Sequence, residues 1–207
     1  MKITVNTHSS IRIEWKERIL YVDPYEIPEE VHDGHVILIT HSHYDHYSPE
    51  DIEKVQTDES IFVLPSSMEG EAEELKGRKI IHLSPNEEAE LLGFSVEAVA
   101  AYNLPPKEFH PKEAQWVGYI LNLGGERVYI TGDTDDNEDV RRVNADTVLL
   151  PIGGTYTTDP GEAAALINHL KPRRVIPTHY GNIVGEKGDG EVFKKLVDPS
   201  IEVEFAL

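Results

Sequence analysis

The run "VILITHSHYDH" joins a continuous apolar stretch, 36–40, to three histidines and an aspartate packed into the next six positions. An apolar run of strand length, with no polar residue on alternate positions, reads as a strand covered on both faces. His41, His43, Asp45 and His46 then leave the end of that strand in a loop, the place where an α/β protein collects its functional groups. In an extended segment residues two apart share a face, so His41 and His43 converge on one cation. The turn that follows brings Asp45 and His46 round to a neighbouring position. A polar loop with surface histidines is the competing reading, and it leaves such density directly after a buried strand without a cause.

The rest of the chain supplies matching elements. "KITVN", "IRIEW" and "ILYVD" have strand length and strand patterning, and "SPEDIEKVQ" predicts a helix with Ser48 as N-cap and Pro49 in its first turn. "IFVLP" predicts a strand and "SSMEGEAEELKG" a helix after it. A meander follows: "EAELLGFSVEAVAA", then "WVGYILNL" and "RVYITGD", the last two joined by Gly124-Gly125, which tolerates the positive φ of a tight hairpin. Asp135 and Asp136 are expected to cap a further helix. "DTVLLP", a helix capped by Asp159 with Pro160 and Glu162 in its first turn, "RRVIPTH", helix "GEVFKKLVD" and strand "IEVEF" complete the chain. No repeat, low-complexity tract or linker interrupts the 207 residues, so a single domain over 1–207 is expected. Each half runs from strands to helices, which predicts an α/β sandwich of two sheets packed face to face with helices outside. Asp133 closes "VYITGD" and His179 closes "RRVIPTH", so both sit at strand ends like His41; a turn residue in "GDTDD" and a capped strand end are the other readings.

Composition decides which ligands and partners are open. With no cysteine, any metal must be held by histidine and carboxylate, a set that suits zinc, manganese or iron rather than calcium. The 38 acidic residues against 19 basic ones give a formal net charge of −19, which opposes a phosphate backbone, so no general nucleic-acid partner is expected. A small anionic substrate stays open, because a bound dication inverts the local potential. No run approaches the roughly 18 to 20 apolar residues that span a bilayer, and "MKITVNTHSS" lacks the apolar stretch of a secretory signal, so a cytoplasmic protein without membrane partners is expected. Homo-oligomerisation is compatible with all of this.

"HSHYDH" fits the His-x-His-x-Asp-His signature of the metallo-β-lactamase superfamily, "TGDT" its segment with a bridging aspartate, and "PTHYG" its segment with the last histidine ligand. "THSSIRIE", "PIGGTYTTDPGEAA" and "LKPRRVIPTHYG" most resemble the small single-domain branch that includes the ascorbate-6-phosphate lactonases. The resemblance implies a four-layer αββα sandwich and a metal-dependent hydrolase. It implies that His41 and His43 serve one metal, that Asp45, His46 and His179 serve a second, and that Asp133 bridges both. It also exposes a departure. The family commonly places a further histidine after the strand matching "FSVEAVAA", where this chain has Ala101-Tyr102-Asn103. Of the histidines between His46 and Asp133, His82 sits in "KIIHLS" among apolar residues, whereas His110 lies in the loop "NLPPKEFHPK". His110 is therefore the candidate for the missing ligand, with a surface turn as the alternative.

His8 is a candidate for contact with the ligands or the substrate. Tyr102, Asn103, Tyr156 and Tyr180 are candidates to line the pocket, against the reading that they simply pack. Gly153 and Gly154 are read as letting the backbone turn closely beneath the site. The expected chemistry is hydrolysis of a small ester, lactone or phosphodiester by a metal-activated water, with Asp45 orienting that water or taking its proton. A diiron redox protein or a non-catalytic metal-binding protein on the same fold are the alternatives. Elemental analysis of chelator-free protein offered excess Mn²⁺ or Zn²⁺ should find about one to two ions per chain; persistent absence of metal would remove the enzyme reading.

Overall fold

The computed structural model describes residues 1–70, 72, 75 and 78–206 and divides into two compact units, one formed by Met1–Ser84 with Ala206, the other by Pro85–Phe205. In the first unit β1 (Lys2–Thr7), β2 (Ser10–Trp15), β3 (Arg18–Val22), β4 (Gly34–Leu38), β5 (Gln56–Pro65) and β6 (Lys79–Leu83) lie side by side in chain order. β1 to β3 are antiparallel, and β3 to β6 run parallel. Val36, Ile37 and Leu38 of β4 are fully buried, as the unbroken apolar run requires. The strand nevertheless stops two residues short of the run predicted from 36 to 40. Ile39 still donates to the Val63 carbonyl, but the Thr40 amide donates to the Asp23 carboxylate instead of a strand neighbour, and this ends the ladder.

Helix α1 (Pro49–Val55) starts as its sequence dictates, with the Ser48 hydroxyl accepting from the Asp51 amide and Pro49 in the first turn. It buries Ile52 and Val55 against Tyr21, Ile37, Ile39, Phe62 and Leu64. Burial of each such side chain is worth roughly 1.5 to 3 kcal/mol, which fixes a helix too short to persist alone. Where the sequence predicts a helix from Ser66 onward, Ser66–Met68 forms a 3-10 turn with no side-chain cap. Residues 71, 73, 74, 76 and 77 of that prediction lie outside the described residues.

The second unit is a seven-stranded sheet in the order β13-β12-β11-β10-β9-β8-β7. β7 (Glu88–Leu91), β8 (Phe94–Ala100), β9 (Val117–Leu123) and β10 (Glu126–Ile130) form the antiparallel meander. Gly124 and Gly125, with φ of 70° and 94°, close its β9–β10 hairpin. β11 (Thr147–Pro151), β12 (Arg174–Thr178) and β13 (Glu202–Val203) extend it in parallel. Helix α2 (Pro160–Leu170) opens with a full capping box between Asp159 and Glu162. It packs Ala163, Ala164, Leu166 and Ile167 into a cluster with Val148, Leu150, Val175 and Phe193 of helix α3 (Asp189–Leu196).

No α-helix follows Asp135 and Asp136. The chain makes a 3-10 turn, Val140–Arg142, and Asn137 rather than either aspartate accepts the amides of Asp139 and Val140. Asp136 pairs with Arg141, and Asp135 accepts from the Leu104 amide and from Lys107. Among the described residues no helix is long and apolar enough to cross a membrane.

Asp51 ties α1 to the preceding loop by accepting from the Glu26 and Ile27 amides, from Ser48 and from Lys54. Burial pushes its carboxyl up, but Lys54, Ser48 and the two amides outweigh that and hold it below its ordinary value. Its contribution to stability is therefore complete above the ordinary carboxyl value of about 4 and is lost as pH falls through the lower folded-state value. Asp51→Ala should cost about 2 to 3 kcal/mol at neutral pH, read from the shift in urea midpoint, and the gap to the parent protein should close as the solution is acidified below that range.

Candidate metal centre

In the first unit the donors are arranged around Asp23. β3 ends at Val22, and Asp23 enters the left-handed region with φ of 48°. Its buried carboxylate accepts from the Thr40 amide at 2.8 Å, from the Thr40 hydroxyl at 2.6 Å and from His46 Nδ1 at 2.7 Å. Burial pushes this carboxyl up, against the opposing pull of His46 and the Thr40 bonds. The Thr40 hydroxyl has one proton and donates it to Asp23, so toward His41 Nδ1, 3.0 Å away, it accepts. His41 and His46 therefore both carry their proton on Nδ1 and present the Nε2 lone pair. The amides of His46 and Tyr47 close a turn on the His43 carbonyl, which brings the His41 and His46 rings to 4.0 Å between centroids. His41 Nε2 and His43 Nδ1 lie 3.1 Å apart.

Asp45 is buried in the same turn. His8, in the β1–β2 connection 37 residues earlier, has Nε2 3.1 Å from Asp45 Oδ2, and His46 Nε2 is 3.7 Å from that same oxygen. Tyr44, between His43 and Asp45, is exposed and meets Tyr25 edge to face.

The second unit builds its own cluster. Asp133 lies three residues beyond β10, reached through Gly132 at φ of 63°. Its Oδ2 is 3.3 Å from His110 Nε2 and 3.1 Å from His179 Nε2. His110 is buried, and its place is set by Asn103, whose side-chain oxygen takes the His110 amide at 2.9 Å and Nδ1 at 3.2 Å. The Asn103 amide donates back to the His110 carbonyl, so the loop between them is clamped shut. Lys107 fastens that loop from outside, donating to Asp135, the Thr157 carbonyl and Glu162. Burial lowers the Lys107 pKa, but the two carboxylates outweigh it and hold the ammonium above its ordinary value. His179 follows β12 at φ of 57°. Gly153 lies against it so closely that a Cβ there would stand 2.2 Å from the His179 carbonyl oxygen, which is the close backbone turn expected of that glycine.

The remaining candidates fall in different places. Tyr102 is buried, with its hydroxyl bonded to Asp139 and Lys112, so it braces the 3-10 turn. Tyr180 packs in the α2–α3 core cluster. Tyr156 is partly exposed, meets Phe109 edge to face at 4.7 Å, and accepts from the Asn103 side chain through its carbonyl. His82 stands on β6 opposite Leu64. Sequence reasoning missed Asp23 and Thr40. The available signal was Asp23 itself, a carboxylate directly after the apolar run "ILYV", as Asp133 comes shortly after "VYI".

The donor chemistry fits a divalent first-row metal. Every group is imidazole or carboxylate, and the outer nitrogens of His46, His41 and His110 are each held by an oxygen that leaves Nε2 as the donor, the arrangement usual behind metal-binding histidines. Two imidazole nitrogens on one oxygen of Asp133 suit a carboxylate that shares its charge with cations.

Comparison with known proteins agrees. Residues 2–179 match the family model described as a β-lactamase superfamily domain. The chain is 31% identical to a UPF0173 metal-dependent hydrolase of Thermococcus onnurineus, over 98% of this chain and 95% of that one. It is 32% identical to another from Aeropyrum pernix, over 95% and 89%. A Parabacteroides distasonis crystal structure named as a metal-dependent hydrolase superposes with a TM-score of 0.82 at 29% identity, covering 98% of this chain and 91% of that one. The chain therefore belongs to the β-lactamase superfamily, as a metal-dependent hydrolase with the metallo-β-lactamase fold.

Proposed function

We propose that the protein hydrolyses a small ester, lactone or phosphodiester in the cytoplasm, using one or two zinc, manganese or iron ions held by His41, His43, Asp45, His46, Asp133 and His179, with His110 as a further ligand. The observation that carries this reading is the fixed tautomer of buried His41 and His46, whose Nε2 lone pairs are delivered toward other donors by the Asp23–Thr40 pair. A bound dication supplies Lewis acidity, lowering the pKa of water toward about 7 and polarising the oxygen of the bond to be cleaved. Asp45 orients the attacking water through whichever carboxylate oxygen faces it and accepts its proton. Asp133 balances positive charge, and the Asn103 clamp keeps His110 from turning away. The exposed rings of Tyr44 and Phe109, each next in sequence to a proposed ligand, offer apolar surface to the substrate.

A panel of lactones, esters and phosphodiesters, run on protein loaded separately with zinc, manganese and iron, should reveal hydrolysis of at least one class, while an oxygen-consumption assay with a reductant should stay silent. On the substrate found, Asp45→Asn should lower kcat by about 10²- to 10⁴-fold with an unchanged circular dichroism spectrum; near-normal turnover would take Asp45 out of the chemistry. His110→Ala should weaken retention of one ion by more than about 100-fold, beyond the 10- to 100-fold that loss of a partner behind a ligand costs, measured by chelator competition, whereas His82→Ala should change the melting temperature and leave metal affinity alone.

A further inference from the structure

We infer that His8, which lies outside the His-x-His-x-Asp-His signature, is itself a ligand of the metal ion held by Asp45 and His46. The inference rests on the metal-dependent reading above and adds a residue to it. The ring of His8 is wholly buried, and one donor atom from each of His8, Asp45 and His46 lies within 4.8 Å of the other two. Two donors each about 2.1 Å from one tetrahedral ion stand about 3.4 Å apart. The separations from Asp45 Oδ2, 3.1 Å to His8 Nε2 and 3.7 Å to His46 Nε2, bracket that value.

His46 Nδ1 lies 2.7 Å from the Asp23 carboxylate, which leaves Nε2 as the ring atom on the Asp45 side, and a cation among the three donors would draw His8, Asp45 and His46 onto one centre. His8 is the first residue of the two that connect Thr7 to Ser10, at φ of 48°, and this turn leaves its ring wholly buried beside Asp45.

The test exploits the absence of cysteine from the chain. Cobalt-loaded His8→Cys protein should show a thiolate-to-cobalt charge-transfer band in the near ultraviolet that the parent protein lacks, since no other thiol can produce it. His8→Asn, which suits the left-handed turn, should bind one ion more than about 100-fold more weakly, beyond the 10- to 100-fold that loss of a hydrogen-bond partner to a ligand costs. A fully cobalt-loaded His8→Cys protein without the band, or a His8→Asn loss of 100-fold or less, overturns the assignment. Failure of the parent protein itself to bind cobalt, zinc or manganese overturns the metal-dependent reading and this inference with it.

Discussion

The carboxylate of Asp23 is the interaction on which the first unit's chemistry depends. By accepting the Thr40 amide it stops the β4 ladder, and by accepting the Thr40 hydroxyl and His46 Nδ1 it sets the proton positions of two imidazoles. One buried anion thereby converts the end of a strand into the start of a donor set. A buried carboxylate is costly unless hydrogen bonds replace its water, and three donors meet that need here. Removing the carboxylate would leave Thr40 free to continue the ladder and would let His46 choose either tautomer.

Asn103 plays the corresponding part in the second unit with a neutral amide. Its oxygen fixes His110 Nδ1, so the ring offers Nε2 to Asp133, and its nitrogen ties the same loop to the carbonyl of Tyr156. Gly153 solves a different problem there. It clears the volume that the His179 backbone occupies, so the histidine at the end of β12 can take its left-handed turn. Around this cluster the cations are already committed: Lys107 to Asp135 and Glu162, Lys112 to Asp139, Arg141 to Asp136. In a chain of net charge −19 the surroundings of the donors therefore favour a dication over further negative charge.

Much of this was legible in the residues. The Ser48 and Asp159 caps and the Gly124-Gly125 hairpin follow from local patterns that act within a few residues, and the structure shows each of them. No α-helix forms after Asp135 and Asp136: the Leu104 amide and Lys107 engage Asp135, Arg141 pairs with Asp136, and Asn137 accepts the Asp139 and Val140 amides in their place. Where a helix is expected after Ser66, Ser66–Met68 forms a 3-10 turn without a capping side chain.

By itself the sequence determined the kind of chemistry: imidazole and carboxylate without sulfur, gathered at strand ends, in a chain of net charge −19. Local spacing suffices for that, because burial and periodicity are properties of neighbours along the chain. Only the tertiary structure decided which nitrogen each histidine offers, that Asp23 and Thr40 stand behind the signature, that His110 reaches Asp133, and that His8 meets Asp45 across 37 residues. Those outcomes depend on hydrogen bonds between segments brought together by sheet register, and register is set by the packing of whole strands rather than by any motif within one of them.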